Sequence, residues 1–154
     1  MGLRKNTGVP RSAFDAGAAA PISRAWSAKL RPTQYTRRDL QANAKAKGLP
    51  WDTGKSFDHS APVSELVPAS QVGDYTARSI TLEINGERRQ HGELTDLIWN
   101  VEDILHELSK LYALKAGDLI FMGTPAGVAA LSPGDAFRAT LDGVATLEGR
   151  ILPA

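Results

Sequence analysis

The sequence predicts an α+β domain, on three observations. Two segments repeat their apolar residues at helical spacing. Several short segments alternate apolar and polar residues with a period of two. The two kinds follow one another irregularly rather than as repeated strand–helix units. The chain has 154 residues, room for one ordinary domain and not for two. Its 42% hydrophobic and 23% charged residues are those of a globular chain. No run approaches 18 apolar residues, so no membrane span is expected. A net charge of +1 gives no reason to expect a nucleic-acid partner. There is no cysteine, which excludes disulfides, thiolate metal sites and cysteine nucleophiles.

The charge is uneven. Residues 1–34 carry Arg4, Lys5, Arg11, Arg24, Lys29 and Arg31 against Asp15 alone, while the remainder is net acidic. This start is rich in Ala, Ser, Gly and Pro, with no apolar periodicity. It reads as a disordered or unrelated basic tail, an organellar transit peptide or an aberrant start. Order is expected from residue 35 to residue 154.

Thr36 is placed to cap a helix over Arg37 to Lys47, with Gly48 just past its end. Residues 48–62 then form a polar loop, and Val63–Val67 reads as a short strand. In Ser79–Ile84, Ile80, Leu82 and Ile84 point one way and Thr81 and Glu83 the other. Asn85-Gly86 is a strong hairpin signal, because both positions tolerate positive φ. Glu87–Gly92 is the return strand. Asn100 caps an amphipathic helix from Val101 to Tyr112, whose stripe is Val101, Ile104, Leu105, Leu108, Leu111 and Tyr112. Leu119–Met122 reads as an apolar strand ending at Gly123-Thr124-Pro125. Ala136–Leu141, a turn at Asp142-Gly143 and Val144–Leu152 close the chain as a hairpin.

Few residues suggest chemistry on their own. The stretch from Gly48 to Ser56 invites a P-loop reading. It has five residues between its glycines instead of four, and Pro62 and turn-forming residues follow where a helix should open. Gly123 and Thr124 offer more, since glycine lets a ligand approach the backbone and a hydroxyl can donate to an anion. His59, His91 and His106 are isolated from one another. No Asp or Glu is followed two residues later by another, so no strand presents a pair of carboxylates to a cation.

Several spaced motifs then recur in one order. Thr36-Arg37-Arg38-Asp39-Leu40-Gln41 is followed by Lys47-Gly48-Leu49-Pro50-Trp51, Lys55-Ser56-Phe57 and Pro62-Val63-Ser64. Asn85-Gly86-Glu87 precedes Arg89-Gln90 and Gly92. Gly117-Asp118 leads to Gly123-Thr124-Pro125 with Gly127-Val128, and then to Pro133-Gly134-Asp135. Over residues 35–154 the chain resembles the fumarylacetoacetate hydrolase family, and in particular its small acylpyruvate and fumarylpyruvate hydrolases.

The resemblance implies a mixed, layered β-roll, truncated here at its N-terminal side. It implies a cytoplasmic homodimer with a divalent metal, Mg²⁺ or else Mn²⁺ or Ca²⁺. The implied reaction is cleavage of a C–C bond in a 1,3-dioxo acid, within aromatic-compound catabolism. Carried over position by position, Lys55 is the catalytic candidate. Arg38, Gln41, Lys55, Gly123 and Thr124 are the substrate-binding candidates. The family's metal ligands are a Glu-x-Glu pair upstream and an Asp two residues before the motif threonine. Here that Asp position is Gln34, and residues 1–33 hold no Glu-x-Glu and no His–Glu pair. The chain therefore reads as a catalytically incomplete hydrolase or as a non-catalytic partner for a full-length relative.

Overall fold

A computed structural model of the chain describes residues 27–28 and 35–153. The tail expected over residues 1–34 lies outside the described residues, apart from Ser27–Ala28. In chain order the elements are β1 (Ser27–Ala28), α1 (Arg38–Ala46), α2 (Asp52–Lys55), β2 (Val67–Pro68), α3 (Ala69–Val72), β3 (Ser79–Ile84), β4 (Glu87–Glu93), α4 (Val101–Leu111), β5 (Ala136–Leu141) and β6 (Ala145–Arg150). The architecture is α+β, as the sequence predicts. An antiparallel sheet in the order β4–β3–β5–β6 carries the core, and β1 pairs with β2 separately.

The alternation of β3 sets the core. Leu82 and Ile84 are buried, and the register places Leu82 opposite Ala139, and Ile84 opposite Phe137. Leu141 completes the buried cluster, with Ile80, Leu94, Leu131, Leu147 and Ile151 packed around it. Burying a side chain of this size contributes about 2 kcal/mol. Gly149 lies opposite Phe137 across β5 and β6. A Cβ there would lie 2.5 Å from Phe137 Cζ, so glycine is what lets the ring cover the strand. The Tyr35 ring meets Phe137 edge-on at 6.4 Å between centroids, which ties the approach to α1 onto the sheet.

The β3–β4 turn is the expected one, with Asn85 at φ 53° and Gly86 at φ 82°. The Asn85 side chain also fastens the turn to the start of β5. Its Nδ2 donates to Asp135 Oδ1 at 2.8 Å, and its Oδ1 accepts from the Ala136 N–H at 2.9 Å. Asp135 Oδ2 accepts from the Ser132 N–H at 2.7 Å. The Ser132 N–H first, and the Asn85 amide second, hold the Asp135 carboxyl below the usual carboxylate range.

Asn100 caps α4 as expected, its Oδ1 accepting from the Asp103 N–H at 2.7 Å. The Tyr75 hydroxyl donates to Glu102 Oε2 at 3.0 Å beside that cap, and burial pushes its pKa up.

Four expectations need correction. Residues 48–62 are not all loop, because Asp52–Lys55 forms α2, whose last N–H bond runs from Ser56 to the Asp52 carbonyl. The strand expected at Val63–Val67 is only Val67–Pro68, because its partner β1 supplies just two positions of ladder. Leu119–Met122 forms no strand. A strand exists only against a neighbour's hydrogen-bonding edge, and no described strand lies beside this segment. Along the α4 stripe Leu105 is buried, whereas Leu111 and Tyr112 are exposed, since nothing among the described residues covers that end.

The Asp135 cluster yields a pH prediction. A carboxyl depressed in the folded state stabilises the protein above its unfolded pKa, about 3.9. That contribution disappears as pH falls through the lower, folded value. The melting temperature should therefore drop on acidification below about pH 4. Asp135→Asn should flatten that part of the profile while leaving the neutral-pH melt cooperative, as followed by circular dichroism.

Candidate functional site

The site candidates fall on two pieces of the fold. The first is the α1–α2 pair. Gly54 lets these helices meet closely, since a Cβ there would lie 3.2 Å from the Gln41 backbone nitrogen and 3.3 Å from the Arg37 carbonyl oxygen. The Arg37 N–H donates to the Gly54 carbonyl at 3.0 Å, and the Arg37 guanidinium stacks over Phe57 at 5.0 Å. This contact changes the expected cap. Arg37, not Thr36, occupies the N-cap position of α1, without a side-chain cap bond. Thr36 Oγ1 instead accepts from Lys55 Nζ at 2.8 Å. A lysine ammonium is a stronger donor than a backbone amide, so it takes the hydroxyl oxygen.

Arg38 and Gln41 share the exposed side of α1, where Arg38 Nη1 donates to Gln41 Oε1 at 3.0 Å. Half-buried Lys55 stands at a cleft of about 350 Å³ walled by Ser56, Ser60, Val63, Leu119 and Phe121. One cation on a largely apolar wall suits an anion that carries a short apolar body.

The second piece is the loop after Leu119–Met122. Gly123 and Gly127 both have positive φ, 99° and 100°. Thr124 is exposed between them. The loop leans on β4, where the register slips between Leu82 and Glu83. Leu82 pairs with Gln90 and Glu83 with Arg88, so Arg89 is an extra residue. The slip turns Gln90 inward, where it is only 4% exposed. Gln90 Nε2 donates to Thr124 Oγ1 at 3.0 Å and to the Pro125 carbonyl at 2.6 Å, and it approaches the Ala126 carbonyl at 3.5 Å. The Arg89 carbonyl oxygen occupies the place that a Cβ on Gly127 would take, and Gly92 leaves room for the Pro125 ring.

The fold thus pairs Arg38 with Gln41 on α1, packs α1 against the helix that carries Lys55, and separately sets Thr124 against β4 through Gln90. Leu119 and Phe121 link the pieces, as cleft wall beside Lys55 and as the lead into Gly123. Two contributors escape a sequence reading, Thr36 as a partner of Lys55 and Gln90 as the anchor of the loop. Spacing alone carries no signal for Gln90, because the bulge that turns it inward depends on pairing with β3.

No group of three or more His, Asp or Glu among the described residues could hold an ion. His91 is engaged by Thr81 and Glu93, at 3.0 and 3.1 Å. Gln34, at the family's Asp position, lies outside the described residues.

Comparisons with known proteins agree with the motifs. The family described as Fumarylacetoacetate (FAA) hydrolase C-terminal matches residues 33–152. A fumarylpyruvate hydrolase of Ralstonia sp is 44% identical over 119 residues, covering 77% of this chain and 62% of the relative. A mitochondrial oxaloacetate tautomerase of Rattus norvegicus is 41% identical over 116 residues, covering 75% of this chain and 52% of the relative. The crystal structure of fumarylpyruvate hydrolase from Pseudomonas aeruginosa in complex with Mn²⁺ and pyruvate superposes with a TM-score of 0.74 at 43% identity, over 77% of this chain and 51% of that one. The chain spans about half to three fifths of the length of these relatives.

Gly127→Ala tests the docking of the loop. A side chain there combines a left-handed backbone with a clash against the Arg89 carbonyl, together about 2 kcal/mol or more. The expected outcome is a lower melting temperature with faster amide exchange confined to residues 123–128, as read by hydrogen-exchange mass spectrometry.

Proposed function

The chain belongs to the fumarylacetoacetate hydrolase family, and from that premise we propose that it carries the substrate-holding part of a hydrolase acting on a 1,3-dioxo acid. The observation that supports the reading is that Leu119 and Phe121, which wall the cleft beside Lys55, lead directly along the chain into Gly123 and Thr124. In this reading the Lys55 ammonium holds a carboxylate or a developing oxyanion. The Gly123 N–H and the Thr124 hydroxyl hold the other end, and Gln41, positioned by Arg38, supplies an amide. The apolar wall keeps the substrate's carbon skeleton dry and strengthens the attraction of Lys55 for its charge.

The finer reading is a substrate of the acylpyruvate or fumarylpyruvate type, met in the catabolism of aromatic compounds by a cytoplasmic homodimer. It is supported by the 44% identity to a fumarylpyruvate hydrolase. The family's divalent ion, Mg²⁺, Mn²⁺ or Ca²⁺, does not fit the described residues. Such ions take oxygen ligands, usually with at least one or two carboxylates, and no carboxylate cluster lies among the described residues. No step through a metal is therefore derived. In this reading Lys55 and Thr124 bind and orient the substrate.

A second reading is a non-catalytic chain that pairs with a full-length relative. The observation favouring it is the exposed apolar surface at Leu111, Tyr112, Leu119 and Phe121, larger side chains than a self-contained surface usually leaves together.

The purified chain should bind pyruvate, detected by NMR titration, and should turn over an acylpyruvate little or not at all with Mg²⁺ or Mn²⁺. Lys55→Ala should weaken pyruvate binding about tenfold or more, the loss of a charge-assisted hydrogen bond. Chelator-sensitive hydrolysis that vanishes in Lys55→Ala would show a complete active site. Binding without turnover, together with co-elution with a full-length relative, would favour the second reading.

A further inference from the structure

The Gln90 amide is fixed end for end by its surroundings. The carbonyl oxygens of Pro125 and Ala126 can only accept, so the group facing them must be the NH₂. That NH₂ has two hydrogens. The short bond to Pro125, at 2.6 Å, takes one of them, and the bond to Thr124 Oγ1, at 3.0 Å, takes the other. Thr124 Oγ1 therefore accepts from the protein. A hydroxyl has a single hydrogen, which cannot point back along a bond that the oxygen is accepting. It is left to point away from β4, on the exposed side of Thr124.

We propose that Gln90 is a positioning residue that occupies one acceptor site of Thr124 Oγ1 and leaves its hydroxyl hydrogen to point outward, favouring an accepting anionic oxygen such as a carboxylate at the Gly123–Thr124 loop. This rests on the binding role assigned to Thr124 above. An unconstrained threonine hydroxyl can rotate to accept from a ligand N–H or O–H as readily as it donates. With Gln90 in place the hydroxyl proton is directed outward, so the loop presents this donor together with the Gly123 N–H. Carboxylates accept only, and they gain from this arrangement. A ligand group that donates finds one acceptor site on Thr124 Oγ1 instead of two, so it gains less. Gln90 is well suited to the task because it is buried on a strand. The β4 bulge and the Leu82 pairing fix its backbone, and only the amide end reaches the loop.

The test is a double-mutant cycle on the full chain, with pyruvate as the probe and NMR titration as the readout. Gln90→Leu should weaken binding about tenfold, and Thr124→Val by a similar factor. The double variant should be no weaker than Thr124→Val alone, because Gln90 acts through that hydroxyl. Thermal melts supply the contrast. The loss of melting temperature in Gln90→Leu should persist in the Thr124→Val background, since the Pro125 bond is lost in both. Independent, additive losses of affinity would overturn the proposal and leave Gln90 a purely structural residue.

If Gln90→Leu does not fold, the wild-type chain still decides the matter. Pyruvate should shift the Gln90 side-chain amide resonances, and Thr124→Val should abolish that shift. Pyruvate binding that leaves those resonances unmoved would overturn the proposal. Wild-type chain that binds no pyruvate would overturn the binding role of the loop itself. Intact binding, lost in Lys55→Ala but uncoupled between Gln90 and Thr124, would overturn the Gln90 inference alone.

Discussion

One extra residue in β4 sets the geometry on which the candidate site depends. Without the slip between Leu82 and Glu83, a strict alternation would carry Gln90 onto the outer face of the sheet. With it, Gln90 points into the core side and Arg89 turns its carbonyl toward Gly127. Both ends of the Gly123–Gly127 loop are then held against one strand, by an amide at Thr124 and Pro125 and by a close backbone approach at Gly127. A local irregularity of pairing becomes the placement of a hydroxyl. The hairpin that contains it is in turn pinned at Asn85 to the start of β5. The loop is thus referenced to the most buried part of the molecule.

The other half of the site is referenced differently. Lys55 does not sit on the sheet; it rides on a four-residue helix clasped to α1 through Gly54. What restrains its ammonium is the Thr36 hydroxyl, and what restrains Thr36 is the Tyr35 segment, whose N–H donates to the Ser60 carbonyl at 2.8 Å. The Tyr35–Phe137 ring contact is the bridge back to the core. On the proposed reading, anion holding is shared between a donor fixed by a strand and a cation on a clasp of short helices.

The local signals in the sequence were enough for local structure. Asn85-Gly86 could only turn a hairpin, Asn100 could cap the helix that follows it, and Ala136–Leu141 alternates without interruption. Each of these depends on residues within a few positions of one another. Thr36 was misread as a cap because its real partner lies nineteen residues along the chain, and sequence spacing carries no information about which donor reaches it. Gln90 was quoted within a motif without a role, since the bulge that turns it inward depends on register with β3. Lys55, Arg38 and Gln41 were picked out through the family motifs rather than from composition or periodicity. The packing of α1 against α2 follows from the Gly54 contact, which spacing alone does not reveal.

Leu119–Met122 shows how one sequence pattern can serve two ends. Its apolar run is what a buried strand would carry, yet no described strand hydrogen-bonds along it, and Leu119 and Phe121 remain 48% and 45% exposed. In this chain the segment acts as a wall. That changes the energetics of the cation beside it. Lys55 facing open water attracts an anion only weakly, because water screens the pair. A ligand whose apolar body lies along Leu119 and Phe121 removes that water, so covering the wall and pairing the charge reinforce one another. A small anion such as sulfate gains the charge without the coverage, and a neutral apolar molecule gains the coverage without the charge. On the proposed reading the arrangement favours a molecule with both properties, a carboxylate on a short carbon skeleton, before any bond-breaking chemistry is considered.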